Sequence, residues 1–184
     1  IDELTSEQAR NWISYCLKKI KDYNLPIIAL ELVNEPAKTL QAINYITKLY
    51  KTYASQLRDY KTTIGFLGST EWDAPEFAEG LDPLCDIHAP HFYTNPILKQ
   101  QLNPYEYFDK WLNFWKKFGK PVIIGEWGFN DLPFLEDVKA AYISGMLEKF
   151  NSIGQDYFIW DWRGRWWGIC EENGTPKKCA TLFP

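Results

Sequence analysis

The sequence predicts an α/β protein built around a parallel sheet. Amphipathic helical stretches alternate with short apolar runs along the chain, and this alternation is typical of βαβ units. The apolar runs are nearly continuous, which indicates strands that are covered on both faces. With 184 residues the chain is long enough for a hydrophobic core, and we interpret residues 1–184 as a single domain.

The first half of the chain contains two predicted helices, each followed by a strand. Capping residues open the first helix, and Pro26 follows its end. Pro36 ends the first strand, and the steric effect of a proline on the residue before it predicts an extended backbone at Glu35. In order, these elements are a helix at about 5–23, a strand at 27–33, a helix at 39–60 and a strand at 63–67.

The second half continues the alternation after a short segment that is rich in loop-forming residues. One of its helices carries Phe108, Trp111 and Trp115 on one side, and Gly119-Lys120-Pro121 ends that helix. In order, the elements are a strand at about 86–93, a helix at 105–118, a strand at 122–126, a helix at 135–150 and a strand at 157–160.

Polar residues end at least three of these five strands. An open sheet would gather its ligands at one switch point, whereas several strand ends supply one site in a barrel. We therefore predict a (β/α)₈ (TIM) barrel. A complete barrel needs about 250 residues, so this chain is expected to hold only about five of its βα units.

Composition limits the class of partner. The net charge is −4, which argues against nucleic acid because phosphate backbones are bound through clustered Lys and Arg. No apolar run approaches the ~20 residues of a membrane span, so no membrane partner is expected. Phe, Trp and Tyr make up 17% of the chain, with nine Trp, and this supply of rings favours a sugar-binding cleft.

Two glutamates stand at the carboxyl ends of predicted buried strands, in Asn34-Glu35 and in Glu126-Trp127. A buried charge is costly unless a partner or a function explains it. One reading is a pair of structural carboxylates in salt bridges. Two such glutamates on like strands, beside an amide and an indole, favour paired catalytic carboxylates over that reading.

Four motifs follow one another at the predicted strand ends: Asn34-Glu35-Pro36, His91-Phe92-Tyr93, Gly125-Glu126-Trp127-Gly128 and Trp160. Together they resemble glycoside hydrolase family 5, the cellulase A family of clan A, and the resemblance implies that this chain holds only about the last five βα units of the family's barrel. The resemblance spans roughly Leu25 to Gly168. Asn34-Glu35-Pro36 resembles the fourth-strand motif, His91-Phe92-Tyr93 the His-x-Tyr of the sixth strand, Gly125-Glu126-Trp127-Gly128 the seventh-strand motif, and Trp160 the eighth-strand Trp.

The resemblance implies a retaining glycosidase, whose two carboxyl groups lie about 5–5.5 Å apart. Glu126 would be the nucleophile and Glu35 the acid/base. Asn34 would bind the 2-hydroxyl of the reacting sugar, and Tyr93 would position Glu126. His91 would lie on the acid/base side, and Trp160 would form the floor of the reacting subsite.

Other candidate residues are assigned less specifically. Strand alternation predicts that Glu31 faces the barrel interior, where we expect it to be buried beside an arginine. His88 is interpreted as a satisfied core or rim histidine. No Cys/His group has zinc-ligand spacing, so we predict no metal and no cofactor. Four tryptophans are candidates for the cleft or for simple packing: Trp127, Trp162, Trp166 and Trp167.

Cys170 and Cys179 bracket a turn that contains Asn173-Gly174. We predict a disulfide bond between them. A disulfide presupposes an oxidising compartment, and together with a polymeric substrate it predicts a secreted, extracellular enzyme.

Nothing before Leu25 matches the first three βα units of the family. The chain is therefore expected to be a fragment of a longer enzyme, one piece of a nicked barrel, or a product that pairs with itself. Its expected partners are a polysaccharide or oligosaccharide and either the missing N-terminal barrel segment or a second chain.

The expected substrate is a neutral β-linked polysaccharide. We rank an endo-β-1,4-glucanase activity first and a β-1,4-mannanase activity second. The ranking depends on the loop at 162–168, where tryptophans beside arginines suit equatorial hydroxyls. A non-catalytic carbohydrate-binding barrel fragment is the alternative from another functional class.

Overall fold

Helices and strands alternate in the computed structural model as the sequence predicts. The structure describes residues 7–66, 75–94, 103–129, 136–161 and 169–183. Short 3₁₀ turns occupy Asp82–Leu84 and Lys178–Leu182. The helices are α1 (Glu7–Asp22), α2 (Leu40–Leu57), α3 (Pro75–Leu81), α4 (Pro104–Lys116) and α5 (Glu136–Ile153). The strands are β1 (Leu30–Asn34), β2 (Thr62–Phe66), β3 (Ala89–Thr94), β4 (Ile124–Phe129) and β5 (Tyr157–Ile159).

Each predicted helix and strand is present, with ends shifted by a few residues. The helix that the sequence did not predict is α3, in the segment read as rich in loops. It has seven residues, about two turns, which is too short for a helical period to be recognised. Among the described residues, no helix is both long enough and apolar enough to cross a membrane.

Two compact units make up the chain, Ile1–His88 and Ala89–Pro184. In the first unit β1 pairs with β2 in parallel. Thr39 caps α2 by accepting a hydrogen bond from the amide of Ala42 at 3.1 Å. The core of this unit lies where α2 meets the strands, and its buried apolar residues include Ile46, Leu49, Tyr53, Ile64 and Phe66.

The start of β1 is less buried than its apolar sequence predicts. The strand begins at Leu30 rather than Ile27, and the Ile28 side chain is 63% exposed. Within the described part of the first unit, β1 has β2 as its neighbour on one side and no strand on the other. Glu31 and Asn34 of β1 are exposed and its other residues are only half-buried, so the prediction of a strand covered on both faces is wrong for this unit taken alone.

The second unit contains three parallel strands, with β4 between β3 and β5. Aromatic rings from the strands meet rings from α4 and α5 in its core. Phe92 of β3 lies 5.1 Å from both Phe108 and Trp111 of α4, measured between ring centroids. The abundance of aromatic residues therefore serves the core of this unit to a large extent.

The C-terminal segment forms a short hairpin that is anchored to α5. Cys170 and Pro176 form an antiparallel bridge, and the amide of Lys178 donates to Glu136 Oε2 at 2.9 Å. Cys170 and Cys179 are both buried, and no disulfide bond joins them in the structure. The predicted disulfide is therefore wrong. Backbone hydrogen bonds such as Glu171 N–H to Thr175 O, at 2.8 Å, already close the turn.

Candidate functional site

Glu126 is held by two side chains from the neighbouring strand. The Tyr93 hydroxyl donates a hydrogen bond to Glu126 Oε2, and His91 Nδ1 lies 3.4 Å from the same oxygen. The His91 side chain is 1% exposed, whereas that of Glu126 is 20% exposed. Two contacts on one carboxylate oxygen fix the plane of the group, while partial exposure keeps it within reach of a ligand.

Strand register explains why these three residues meet. His91 is directly opposite Glu126 in the parallel pair β3–β4. Residues two apart on a strand point to the same face, so Tyr93 follows His91 onto the face of Glu126. The glycine before Glu126 permits the close pairing, because a Cβ at Gly125 would lie 2.5 Å from the carbonyl oxygen of Ala89.

Trp127 is a core residue, so its prediction as a substrate-binding residue is wrong. Its side chain is 1% exposed. Its ring packs edge-on against Phe150 at 4.9 Å and Tyr157 at 5.6 Å. Consecutive residues of a strand point to opposite faces, so the same β4 that presents Glu126 to a ligand turns Trp127 into the helix layer.

Trp160 follows β5 and is 46% exposed. Its amide donates to the carbonyl oxygen of Trp127 at 2.7 Å, which ties the end of β5 to β4. The peptide bond between Trp160 and Asp161 is cis. The other predicted cleft tryptophans, Trp162, Trp166 and Trp167, lie outside the described residues.

In the first unit, Glu35 stands just after the end of β1 and is exposed. Its backbone is left-handed, with φ of 45°, so the predicted extended conformation is wrong. The amide of Glu35 donates to the carbonyl oxygen of Gly65 at 2.7 Å. This hydrogen bond turns the chain sharply at the strand end, against the preference that Pro36 imposes on the residue before it.

Gly65 is the residue of this region that the sequence interpretation missed. It pairs with Asn34 across β1–β2, and a Cβ at Gly65 would overlap Asn34 Oδ1 and lie 2.9 Å from Glu31 Oε1. Glu31 is exposed, so its predicted burial is also wrong. A glycine inside a predicted strand is the signal that was available, because it marks a close approach.

The strands of the first unit are joined to α2 by Tyr50. The buried Tyr50 hydroxyl donates to the carbonyl oxygen of Thr63 and accepts from the amide of Leu32 at 3.4 Å. Burial raises the pKa of Tyr50 well above its ordinary value of 10.0. Both β1 and β2 are thus tied to one helix at the residues preceding Asn34 and Gly65.

His88 is buried, as predicted for a core histidine. Its side chain is 0% exposed, and its Nε2 lies 2.9 Å from Asp82 Oδ1. The Phe66 ring contacts the imidazole edge-on at 6.2 Å between centroids. This packing accounts for His88 without a ligand.

Comparisons with known proteins identify the family. The profile described as Cellulase (glycosyl hydrolase family 5) matches residues 3–165. Among curated protein sequences, none matches this chain.

Solved structures of glycoside hydrolases are similar in fold. An intracellular xylanase from Thermoanaerobacterium saccharolyticum has a TM-score of 0.69 at 13% identity and covers 94% of this chain. A family 2 β-galacturonidase from Eisenbergiella tayi, bound to glycerol, has a TM-score of 0.68 at 17% identity and covers 91%. A family 17 β-1,3-glucanosyltransferase from Rhizomucor miehei has a TM-score of 0.65 at 15% identity and covers 92%.

These structures are longer than this chain, which spans 63%, 34% and 70% of them, respectively. At such low identity the likeness bears on fold alone. It confirms the prediction of an α/β fold that corresponds to part of a (β/α)₈ barrel. Because the family profile matches residues 3–165, which is most of this chain, the chain belongs to the cellulase family, glycosyl hydrolase family 5.

Proposed function

We propose that this chain carries the catalytic carboxylates of a retaining endo-β-glycosidase that hydrolyses a neutral β-linked polysaccharide. The observation that carries the proposal is the contact of Tyr93 and His91 with one oxygen of Glu126. A nucleophilic carboxylate must approach the anomeric carbon in a fixed orientation, and these two side chains restrict its rotation.

In the first step, Glu126 attacks the anomeric carbon while Glu35 protonates the leaving oxygen. A bond forms between the carbon and Glu126, and the glycosidic bond breaks. The Tyr93 hydroxyl stays near the carboxylate as its charge is lost to the ester. The exposure of Glu35 supports its role, because an acid/base must exchange a proton with each turnover.

In the second step, Glu35 removes a proton from water, and the water oxygen attacks the anomeric carbon. The bond to Glu126 breaks, and the product keeps the β configuration of the substrate. Asn34 binds the 2-hydroxyl of the reacting sugar, a contact that strengthens in the transition state. The exposed indole of Trp160 stacks against one face of the sugar ring.

Charge supports a neutral substrate. The side chains proposed for the site are carboxylates, an amide, an imidazole, a phenol and an indole, and none of them is a lysine or arginine. A uronic acid polymer would meet uncompensated negative charge at Glu35 and Glu126. Within neutral glycans we propose β-1,4-glucan, which makes the enzyme an endo-β-1,4-glucanase.

A substrate panel tests this choice. Carboxymethylcellulose, glucomannan, mannan and laminarin are offered to the complete barrel, in which this chain is joined by the remaining βα units, and reducing ends are measured. We expect cleavage of carboxymethylcellulose and glucomannan. Cleavage of mannan alone would replace the glucanase with a β-1,4-mannanase, and binding of a glycan without cleavage of any would favour a non-catalytic barrel.

We also propose that further barrel polypeptide, supplying the remaining βα units, partners this chain. Exposed apolar residues of the first unit support this, since Trp12 is 67% exposed and Ile28 63%. Light scattering of the purified chain tests it: self-association or aggregation is expected from the isolated chain, and a well-behaved monomer of 21.6 kDa would contradict it.

We also propose that the enzyme is secreted, and the size of its substrate is the reason. A polysaccharide is too large to import, so an enzyme that cleaves it internally acts outside the cell. The cysteine pair no longer supports this, because Cys170 and Cys179 are not joined. Fractionation of the source culture tests it, and activity confined to the cell lysate would contradict it.

A further inference from the structure

We propose that Gly65 is a positioning residue that sets the place of both Asn34 and Glu35. The inference rests on the proposed function, in which Asn34 binds the 2-hydroxyl and Glu35 is the acid/base. Gly65 lies in the interior of β2, where a glycine weakens a strand and offers no side chain to the core. Its position therefore needs another explanation.

The backbone of Gly65 determines the turn at Glu35. Its carbonyl oxygen accepts the amide of Glu35 at 2.7 Å, at the point where φ of Glu35 is 45°. A left-handed backbone is uncommon outside glycine, and it persists where surrounding contacts hold it. The hydrogen bond to β2 is such a contact, and it fixes the direction in which Glu35 leaves the strand.

The missing side chain of Gly65 makes room for two polar groups. A Cβ at this position would overlap Asn34 Oδ1 and lie 2.9 Å from Glu31 Oε1. The Asn34 amide therefore lies directly over the Cα of Gly65, in the space that any other residue would fill. We infer that alanine at position 65 displaces the Asn34 side chain without removing the backbone acceptor for Glu35.

The test is a double-mutant cycle of Gly65→Ala with Asn34→Ala, each variant assayed on an aryl β-glycoside and on its 2-deoxy counterpart. On the 2-hydroxy substrate, Gly65→Ala should lower kcat/KM roughly 10–100-fold, the range expected for misplacement of a positioned group. In the Asn34→Ala background, and on the 2-deoxy substrate, the same change should have little effect.

A matched control is Gly80→Ala in α3 of the same unit. A Cβ there would approach the flexible end of Ile43 at 2.9 Å rather than a polar group of the site. Its effect on kcat/KM should be small and equal in both backgrounds. Equal losses from Gly65→Ala with and without Asn34, or on both substrates, would overturn the inference.

Thermal unfolding separates this inference from the proposed function. Gly65→Ala should lower Tm in the parent and lower it less in the Asn34→Ala background, because truncation of Asn34 removes the closest overlap and leaves only the 2.9 Å approach to Glu31 Oε1. That coupling is independent of hydrolysis. If the Tm effects of Gly65→Ala and Asn34→Ala were coupled but the parent hydrolysed no substrate, the proposed function would be refuted and the packing of Asn34 over Gly65 would stand. Hydrolysis without coupling would refute the role of Gly65 alone.

Discussion

The two proposed catalytic glutamates look alike in the sequence but differ in their surroundings. Glu126 lies within β4, and two side chains of β3 contact one of its oxygens. Glu35 lies beyond the end of β1 and is exposed, and its amide donates to the carbonyl oxygen of Gly65. A nucleophile gains from a fixed carboxylate, whereas an acid/base needs access to water and freedom to exchange protons. The difference therefore matches the division of labour that we propose.

The largest effect is expected at the restrained glutamate. Glu126→Ala should lower kcat roughly 10⁴-fold or more, because no other group replaces the nucleophile, while oligosaccharide binding stays largely intact. Initial rates and calorimetric titration measure the two quantities. Glu148→Ala, at an exposed position of α5 in the same unit, is the control and should retain full activity. Parent-like turnover by Glu126→Ala would remove Glu126 from its role.

A smaller and substrate-dependent effect is expected at the exposed glutamate. Glu35→Ala should cost roughly 10²–10⁴-fold on substrates with poor leaving groups, which need protonation. With a dinitrophenyl leaving group, formation of the glycosyl–enzyme should be nearly unaffected. Pre-steady-state release of dinitrophenol measures this step, and Glu76→Ala on the exposed surface of α3 serves as the control. A loss independent of the leaving group would contradict the acid/base role.

Removal of one restraint on Glu126 should give an intermediate effect. Tyr93→Phe deletes a hydrogen bond to a charged group, worth about 1.5–3 kcal/mol, and should lower kcat/KM roughly 10–100-fold. Tyr157→Phe is the matched control. It removes the same hydroxyl group from another tyrosine of this unit, whose ring packs against the Trp127 ring at 5.6 Å. If the two variants had equal kcat/KM, the restraint would have no part in catalysis.

The smallest effect concerns stability rather than rate. Burial raises the pKa of Tyr50 above its ordinary value of 10.0. The folded state therefore keeps the proton at pH values where the unfolded state loses it, so this stabilisation is complete below pH 10.0 and declines above it. Urea unfolding between pH 9 and 11 should show a fall in the free energy of unfolding.

Tyr50→Phe sharpens that measurement. The variant should be less stable by about 1–2 kcal/mol at neutral pH, because the carbonyl oxygen of Thr63 loses its donor. It should also lose part of the decline above pH 10.0. An identical alkaline decline in the parent and the variant would show that Tyr50 does not carry it.

Sequence patterns predicted the helices and strands well because the period of apolar residues reports directly which face is covered. They also predicted that His91 and Tyr93 share a face, since strand alternation is fixed by geometry. Burial was predicted less well. Trp127 was assigned to the cleft because it neighbours Glu126, although adjacent strand residues point in opposite directions.

The sequence pattern could not predict the turn at Glu35 or the role of Gly65, for a different reason. The preference of a residue before proline is local, and a hydrogen bond from β2 overrides it. The space at Gly65 depends on which strand lies beside it, information that a linear sequence does not carry. The predicted disulfide is wrong for a similar reason, because backbone hydrogen bonds such as Glu171 N–H to Thr175 O close the turn between Cys170 and Cys179.

The proposed mechanism requires that Glu126 forms a covalent bond to the sugar. An activated 2-deoxy-2-fluoro β-glycoside, which slows release of the intermediate, is incubated with enzyme that hydrolyses the panel substrate. Peptic peptides are then sequenced by mass spectrometry. We expect one added fluoroglycosyl group, located on Glu126 in the peptide that contains Gly125-Glu126-Trp127. A label on Glu35 or another residue, or an active enzyme that acquires no label, would contradict it.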